Sequence, residues 1–461
     1  MSYNIVIVGG GSAGWSAALG LSHLRDSSIT VIEPEVNNAI GVGESTLPLI
    51  NAFHNIYGIN KKDFFNAVNA TIKLTIEFSD FARKDHIWTH PFISGTGIEE
   101  HAINEIISDG LTDTQYNVFS DKLPLAKKRT EGFNDFDLMT SDALYQTPGY
   151  HIDSIKYGDF LKNETLKKDN VKLFTSAVQD VIIENDVIEK LVLEDGREIV
   201  ADLFIDCTGF KKLLISKTSA SWQSVSDRLY CDSSVAVQLP YLDVETQKVN
   251  TTRCFALSSG WVWTVPLQDR IGTGYVFSKR HQSYEDSLSE FKEYLANLGY
   301  NTSELTFREV PFDAGSWDET WKGNVIPIGL SSAFVEPLES TGIALFQKQV
   351  IDLVEVLGTF GIDYPYSKKI FNNQCKEAVQ DVIDFVQMHY SLAERADTPF
   401  WADCKEMQFT PFQKHMFKSW IDSKEEFNNA TIIKGLKRQT LFDYTSFASM
   451  FLGYGVQPNV I

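Results

Sequence analysis

A chain of 461 residues with 43% hydrophobic content buries a large core, and its length accommodates two or three domains or one large intertwined enzyme. Its 61 acidic residues outweigh 41 basic ones, and a net charge of −20 without any basic stripe repels phosphate backbones and anionic membranes. Composition thus argues against nucleic acid and membrane surfaces as partners.

The N-terminus, MSYNIVIVGG, has neither a basic segment nor a long apolar one, so it is not read as a secretory leader. No window approaches the roughly eighteen apolar residues of a membrane span. The five cysteines, Cys207, Cys231, Cys254, Cys375 and Cys404, are odd in number and widely spaced, without a Cys-x-x-Cys or Cys/His cluster. Reduced thiols, a cytoplasmic location and no metal site are expected.

In chain order, residues 5–8, IVIV, form the short apolar run of a buried parallel strand. GGGSAG then opens a helix through WSAALGLSHL, and SITVIE is a second strand ending at Glu33. Gly9, Gly11 and Gly14, with Ser12 and Ala13 between the last two, match G-x-G-x-x-G, and the acid follows about twenty residues later. One glycine turns the chain, one lets backbone approach a pyrophosphate, one lets helix meet strand, and Glu33 can accept from ribose hydroxyls. Strand, helix and acid together predict dinucleotide binding.

GVGEST (41–46), with Gly43, Glu44, Ser45 and Thr46, reads by itself as a glycine turn. VNATIKLTIEF (68–78) alternates with period two, which puts Ile72, Leu74, Ile76 and Phe78 on one face. Lys73, Thr75 and Glu77 fall on the other, so Lys73 reads as a solvent-facing lysine on a strand edge. ADLFIDCTGF (201–210), WVWTVPL and GTGYVFS are further strands, and GNVIPIGLSSAFVEPLESTG (323–342) is a strand running into a loop. From about residue 345 the pattern turns helical. In FVEPLESTGI, Ser340 or Thr341 can cap that helix and Glu339 suits its positive end. The unpaired N–H groups of such a helix start also form a natural anion site. Strands so far apart imply one nucleotide-binding fold assembled from distant segments.

Four stretches taken together resemble the flavin-dependent halogenases, in particular the tryptophan-halogenase-like family: GGGSAGW (9–15), GVGEST (41–46), WVWTVP (261–266) and EPLESTGI (336–343). Trp261, Trp263 and Pro266 meet Trp-x-Trp-x-Ile-Pro, with Val265 in the isoleucine place, and FVQMHYSLAERADTPFW (385–401) extends the likeness over nearly the whole chain. Phe334, Pro337, Ser340 and Gly342 also fit the Phe-x-x-Pro-x-x-Ser-x-Gly pattern of smaller marine and viral-type members.

The resemblance implies an α/β fold in which an FAD-binding Rossmann-like module of the glutathione-reductase type is intertwined with a substrate module of mixed sheet and C-terminal helices. The first would take up about 1–50, 145–215 and 310–350, the second about 51–144, 216–309 and 351–461. It makes Lys73 the essential lysine and Glu339 the active-site glutamate beside it. It gives Thr341 and Gly342 the halide, and makes GVGEST a strap over the flavin. Trp261, Trp263 and Pro266 would separate flavin from substrate. Gly329 and Leu330 belong to the second flavin motif, where related hydroxylases carry Gly-Asp, and Ala333 replaces a frequent glycine. His90 and Phe92, in THPF, with Ser340, would line the substrate pocket; from the residues alone, a structural histidine fits His90 as well.

The expected activity is halogenation by reduced FAD, O2 and chloride, bromide or iodide. The flavin C4a-hydroperoxide would oxidise halide to hypohalous acid, which would halogenate an electron-rich, indole- or phenol-like arene. A separate NAD(P)H-dependent flavin reductase is expected, because only one dinucleotide fingerprint is present. The alternatives are a flavin monooxygenase and a flavin-binding protein without chemistry. The stretch 442–451 carries no residue match to the tryptophan-specific members, which argues against free tryptophan; homo-oligomerisation is left open.

Overall fold

The strand Tyr3–Val8, the helix Ser12–Leu21 and the strand Ser27–Glu33 form the expected βαβ start. In the computed structural model, which describes residues 3–35, 41, 43–91, 148–422, 441–442 and 444–456, these strands sit within a five-stranded parallel sheet. Its order is Val325–Pro327, Leu203–Asp206, Tyr3–Val8, Ser27–Glu33 and Val171–Thr175. Both faces are covered, which is why these strands read as continuous apolar runs. Ile5 and Ile7 join the main core with the helices Ser12–Leu21 and Thr341–Thr359, while Val6, Val8 and Phe204 pack into a second core under Val178–Glu184 and Val187–Leu193.

A seven-stranded mixed sheet runs Arg308–Pro311, Ser233–Leu239, Ile271–Phe277, Gly260–Pro266, Thr251–Ala256, Thr75–Ser79 and Ile87–Pro91. All its neighbours are antiparallel except Thr75–Ser79 against Thr251–Ala256. The helix Tyr284–Asn297 covers one part of it through Phe291 and Leu295. Elsewhere Ile76 and Phe78 share the main core with Phe385 and Met388 of the long helix Ser367–Ser391.

The stretch 68–78 departs from the single strand expected. It breaks at Leu74: Thr71–Lys73 pairs with Gly149–Ile152 in a small three-stranded sheet, and Thr75–Ser79 enters the large one. Its polar face is not in solvent, for Lys73 and Thr75 are both 0% exposed. The alternation is real, but the segment bridges two sheets and is covered on both sides. None of the five cysteines is disulfide-bonded, and no helix among the described residues is long and apolar enough to cross a membrane.

Candidate active site

The N-terminal glycines divide by what surrounds them. Gly9 has φ of 111°, and a β-carbon there would lie 2.2 Å from the Cys207 carbonyl oxygen. One on Gly14 would lie 1.9 Å from Gly9 O, so this glycine lets the helix meet the strand. One on Gly11 would meet nothing within 4 Å. That opening is the cradle a pyrophosphate needs, at the N-terminus of the helix Ser12–Leu21. Glu33 is oriented by Trp15 Nε1, which donates to Oε2 at 3.1 Å, and by an ion pair with Lys162. A carboxylate accepts about four hydrogen bonds, which leaves capacity for a ribose. Gly329 comes from far along the chain to the same place: its β-carbon would lie 2.7 Å from that of Ala13. Leu330 beside it is partly exposed. These residues fit FAD. Gly11→Ala is therefore expected to leave the melting temperature of the flavin-free protein unchanged while weakening FAD binding at least about tenfold. Gly14→Ala should lower the melting temperature itself by overpacking, about 1–3 kcal/mol; flavin fluorescence titration and thermal unfolding separate the two.

Lys73 lies at the end of Thr71–Lys73, and its Nζ donates to Ser340 Oγ at 2.8 Å and to Thr46 O at 3.2 Å. Gly149, whose β-carbon would lie 3.3 Å from Lys73 Cδ, makes room for the stem. Burial pushes the ammonium down to about 7, against the opposing pull of Glu339 and Cys254. One hydrogen-bonded chain aligns the surrounding segments. Thr71 Oγ1 donates to Pro266 O at 2.6 Å and lies 2.9 Å from His151 Nδ1. His151 Nε2 lies 2.9 Å from Thr252 Oγ1, which is 2.9 Å from Ser45 Oγ. The single Thr71 proton is committed to Pro266, so Nδ1 of His151 carries the hydrogen and Nε2 accepts from Thr252. Burial, and then Lys73, hold His151 well below 6.5, so the ring is neutral. Strap, lysine strand and Trp-x-Trp strand are thereby tied together. Glu44 is exposed and pairs, as strand Glu44–Ser45, with Gly149–Ile152; Gly43 has φ of 96°.

Ser340 stands at the N-cap of Thr341–Thr359 with φ 60° and ψ 35°, a left-handed conformation that costs a non-glycine residue about 1–2 kcal/mol. Its hydroxyl makes no cap hydrogen bond and instead accepts from Lys73, which corrects the simple capping role. The next hydroxyl, Thr341 Oγ1, is buried and without a hydrogen-bond partner among the described residues. A β-carbon on Gly342 would meet nothing within 4 Å. An orphaned hydroxyl and open space at a helix N-terminus suit a small anion.

Glu339, 0% exposed, lies one residue before Ser340. Burial raises its carboxyl, but His90 and His389 overcome that and hold it at about 2. His90 Nδ1 is 2.9 Å from Oε2, and His389 Nε2 is 2.7 Å from Oε1, a close approach off the line of an ideal hydrogen bond. The carboxylate's closest polar contacts are thus two imidazoles; it acts on Lys73 through its charge. His90 is placed against this carboxylate, whereas Phe92 lies outside the described residues.

Trp261 is fully buried and Trp263 partly so, their ring centroids 6.3 Å apart. Trp263 packs over Gly274, where a β-carbon would lie 2.1 Å from its ring. Trp261 Nε1 donates to Glu336 Oε1 at 3.1 Å, and the Tyr390 hydroxyl bonds the same oxygen. Burial pushes Glu336 up to about 7. Sequence reasoning missed His151, His389 and Glu336. Glu336 opens EPLESTGI and His389 lies in FVQMHYSLAERADTPFW, but neither stretch says what its acid or imidazole meets, and His151 lies in no motif; only the long-range pairing of sheets and helices gives them partners.

Residues 4–461 match the family model described as tryptophan halogenase. Tryptophan 7-halogenase RebH of Lentzea aerocolonigenes is 32% identical over 440 residues, which cover 88% of this chain and 79% of the relative. Tryptophan 6-halogenase SttH of Streptomyces toxytricini is 31% identical over 429 residues, covering 87% and 80%. Among solved structures, Xcc4156, a flavin-dependent halogenase from Xanthomonas campestris, superposes with a TM-score of 0.86 at 30% identity, covering 100% of this chain and 90% of that one. A likeness that spans the glycine cradle, the lysine strand and the helix start alike leaves neither the monooxygenase nor the chemistry-free flavoprotein favoured. The chain belongs to the tryptophan halogenase family, as a flavin-dependent halogenase that uses reduced FAD, O2 and a halide to halogenate an aromatic substrate.

Proposed function

We propose that Lys73 and Glu339 are the catalytic residues, that Thr341 and Gly342 hold the halide, and that the substrate is a small indole- or phenol-like arene. The observation that carries this reading is the 2.8 Å contact of Lys73 Nζ with Ser340 Oγ across 267 residues of sequence. It puts a buried amine beside the start of the helix that Thr341 opens.

Reduced FAD, when bound, supplies the oxidation of halide by O2 to hypohalous acid. The chain's residues do the rest. The helix N-terminus and the Thr341 hydroxyl hold the anion before oxidation. Lys73, as an ammonium, donates a hydrogen bond to the oxygen of hypohalous acid and makes the halogen more electrophilic; as an amine, it can carry the halogen itself. A group at about 7 has access to both forms near neutral pH. When the arene attacks, the halogen–oxygen bond breaks as the carbon–halogen bond forms, the leaving hydroxide takes a proton from the Lys73 ammonium to become water, and the ring proton passes to Glu339, from which it restores Lys73: ArH and HOX give ArX and H2O. Trp261, Trp263 and Pro266 form the wall between flavin and arene, and a separate flavin reductase supplies the reduced cofactor. The curated relatives named above act on tryptophan; the stretch 442–451, without a match to that specificity, favours an arene lacking the amino-acid group.

Thr341→Val keeps the shape and removes the orphaned hydroxyl. The halide KM is expected to rise about tenfold with the melting temperature unchanged or higher; steady-state kinetics against bromide checks it. The whole reading is tested with reduced FAD, O2 and each of chloride, bromide and iodide on a panel of indoles and phenols, followed by mass spectrometry. Halide-dependent products support it. Hydroxylated products formed without halide would overturn it.

A further inference from the structure

His389 lies within FVQMHYSLAERADTPFW with no role assigned to it there, yet it sits against the carboxylate of the site. It projects from the long helix Ser367–Ser391, is fully buried, and stacks on Trp88 with ring centroids 5.5 Å apart. Phe78 lies against it at 4.7 Å, and the Tyr454 hydroxyl donates to its backbone carbonyl at 2.6 Å. The ring is therefore fixed in place by packing. Its Nε2 lies 2.7 Å from Glu339 Oε1, while His90 Nδ1 approaches the other oxygen at 2.9 Å.

At 2.7 Å in a dry interior an unprotonated Nε2 and an ionised carboxylate oxygen repel, so one of the two holds a proton, although the approach lies off the line of an ideal hydrogen bond. If the proton sat on Glu339, a neutral acid would have no counter-charge role; if it sits on His389, the carboxylate stays ionised. Several titratable groups face the carboxylate. Lys73 comes from the strand Thr71–Lys73, Cys254 from Thr251–Ala256, His90 from Ile87–Pro91, and Tyr454 from the turn that follows the helix Tyr444–Gly453. Of these, Cys254 and Tyr454 are neutral at ordinary pH, being buried and held well above their usual values. Among the described groups the polar contacts of Glu339 are the two imidazoles, His90 in hydrogen-bond geometry with Oε2 and His389 close to Oε1 but off that line.

We propose that His389 is a positioning residue: its Nε2–H, together with Nδ1–H of His90, fixes Glu339 as an oriented carboxylate, ready to serve Lys73 as counter-charge and to receive the arene proton. The inference rests on the reading of Glu339 as the arene-facing carboxylate. Glu339 returns ionised after each turnover because the two donors favour loss of the proton it has taken up. The packing of His389 against the stacked pair Trp88 and Phe78 does not require a nitrogen, so the nitrogen's use lies in what it does to Glu339.

Infrared spectroscopy of the full-length, flavin-free chain, with the Glu339→Gln spectrum subtracted, reads the protonated carboxyl of Glu339 directly. The parent is expected to show no such band at any pH at which it is folded. His389→Phe, which keeps the ring stacked, should raise the protonation midpoint by about one pH unit or more. His389→Gln, whose amide nitrogen reaches the place of Nε2, should return it toward the parent. The acid limb of kcat/KM for bromination of indole should move the same way in both variants. A parent-like midpoint and pH profile in His389→Phe overturns the proposal. If His389→Phe fails to fold by circular dichroism, the shorter His389→Asn is compared with His389→Gln, and equal midpoints overturn it. Full halogenation by Glu339→Gln alongside a shifted His389→Phe midpoint would instead sink the assignment of Glu339 as the arene-facing base.

Discussion

Lys73→Met is expected to lose arene halogenation by roughly 10²–10⁴-fold while binding FAD as the parent does, and at the same time to melt at a higher temperature at pH 7. The second half follows from the first. An ammonium lowered from 10.5 to about 7 prefers the unfolded chain at neutral pH. The unfolded state binds the proton more tightly, so stability rises with pH between about 7 and 10.5, and below about 7 the full penalty applies. That penalty is on the order of 5 kcal/mol, and losing the contacts to Thr46 and Ser340 gives back roughly 2. Methionine fills the same volume without charge. Product analysis by mass spectrometry, flavin titration and calorimetry across pH check the three expectations separately. Near-parent turnover would remove Lys73 from the chemistry; a lower melting temperature at pH 7 would show that its contacts outweigh its burial.

Glu339→Gln should be the mirror case, slower by about 10²-fold or more and less stable. Burial raises this carboxyl, but His90 and His389 more than offset it and bring it from 4.5 to about 2. A depressed carboxylate contributes stability that is fully present above pH 4.5 and is lost as pH falls through about 2. The contribution is on the order of 3 kcal/mol at pH 7. The gap in stability between parent and variant should therefore be widest at neutral pH and narrow steadily from about pH 5 to pH 3. Chemical denaturation over that range measures it. A gap that is flat with pH would mean that the imidazoles do not hold the carboxylate in the way the geometry indicates. Lys73→Met and Glu339→Gln thus make opposite predictions for stability and the same prediction for activity, which general damage to the fold would not do.

What could be read along the chain is what local chemistry fixes. IVIV, the glycines of GGGSAG and Glu33 specify strand, turn, helix and acid within one short segment, because each residue's role depends on its immediate neighbours. The helix that begins at Thr341 is legible in ESTG for the same reason. Its open N–H groups suit a small anion.

Lys73 shows the limit. Period-two alternation separates its face from that of Ile72 and Leu74, but it cannot say that the second face is also covered. That depends on Thr71–Lys73 pairing with Gly149–Ile152 while the next residues enter a different sheet. Ser340 and Thr341 both suit a cap by residue type, and only the left-handed backbone of Ser340 turns its hydroxyl to the amine. Glu339 looked like the partner of Lys73. Its nearest polar groups are two histidines from a strand and a helix, His90 249 residues away in sequence. By itself the sequence determined the cofactor fold, the family and the residue types of the site. The protonation states that decide what those residues can do come from burial and from partners hundreds of residues apart, and desolvation of that kind exists only once the sheets and helices have packed.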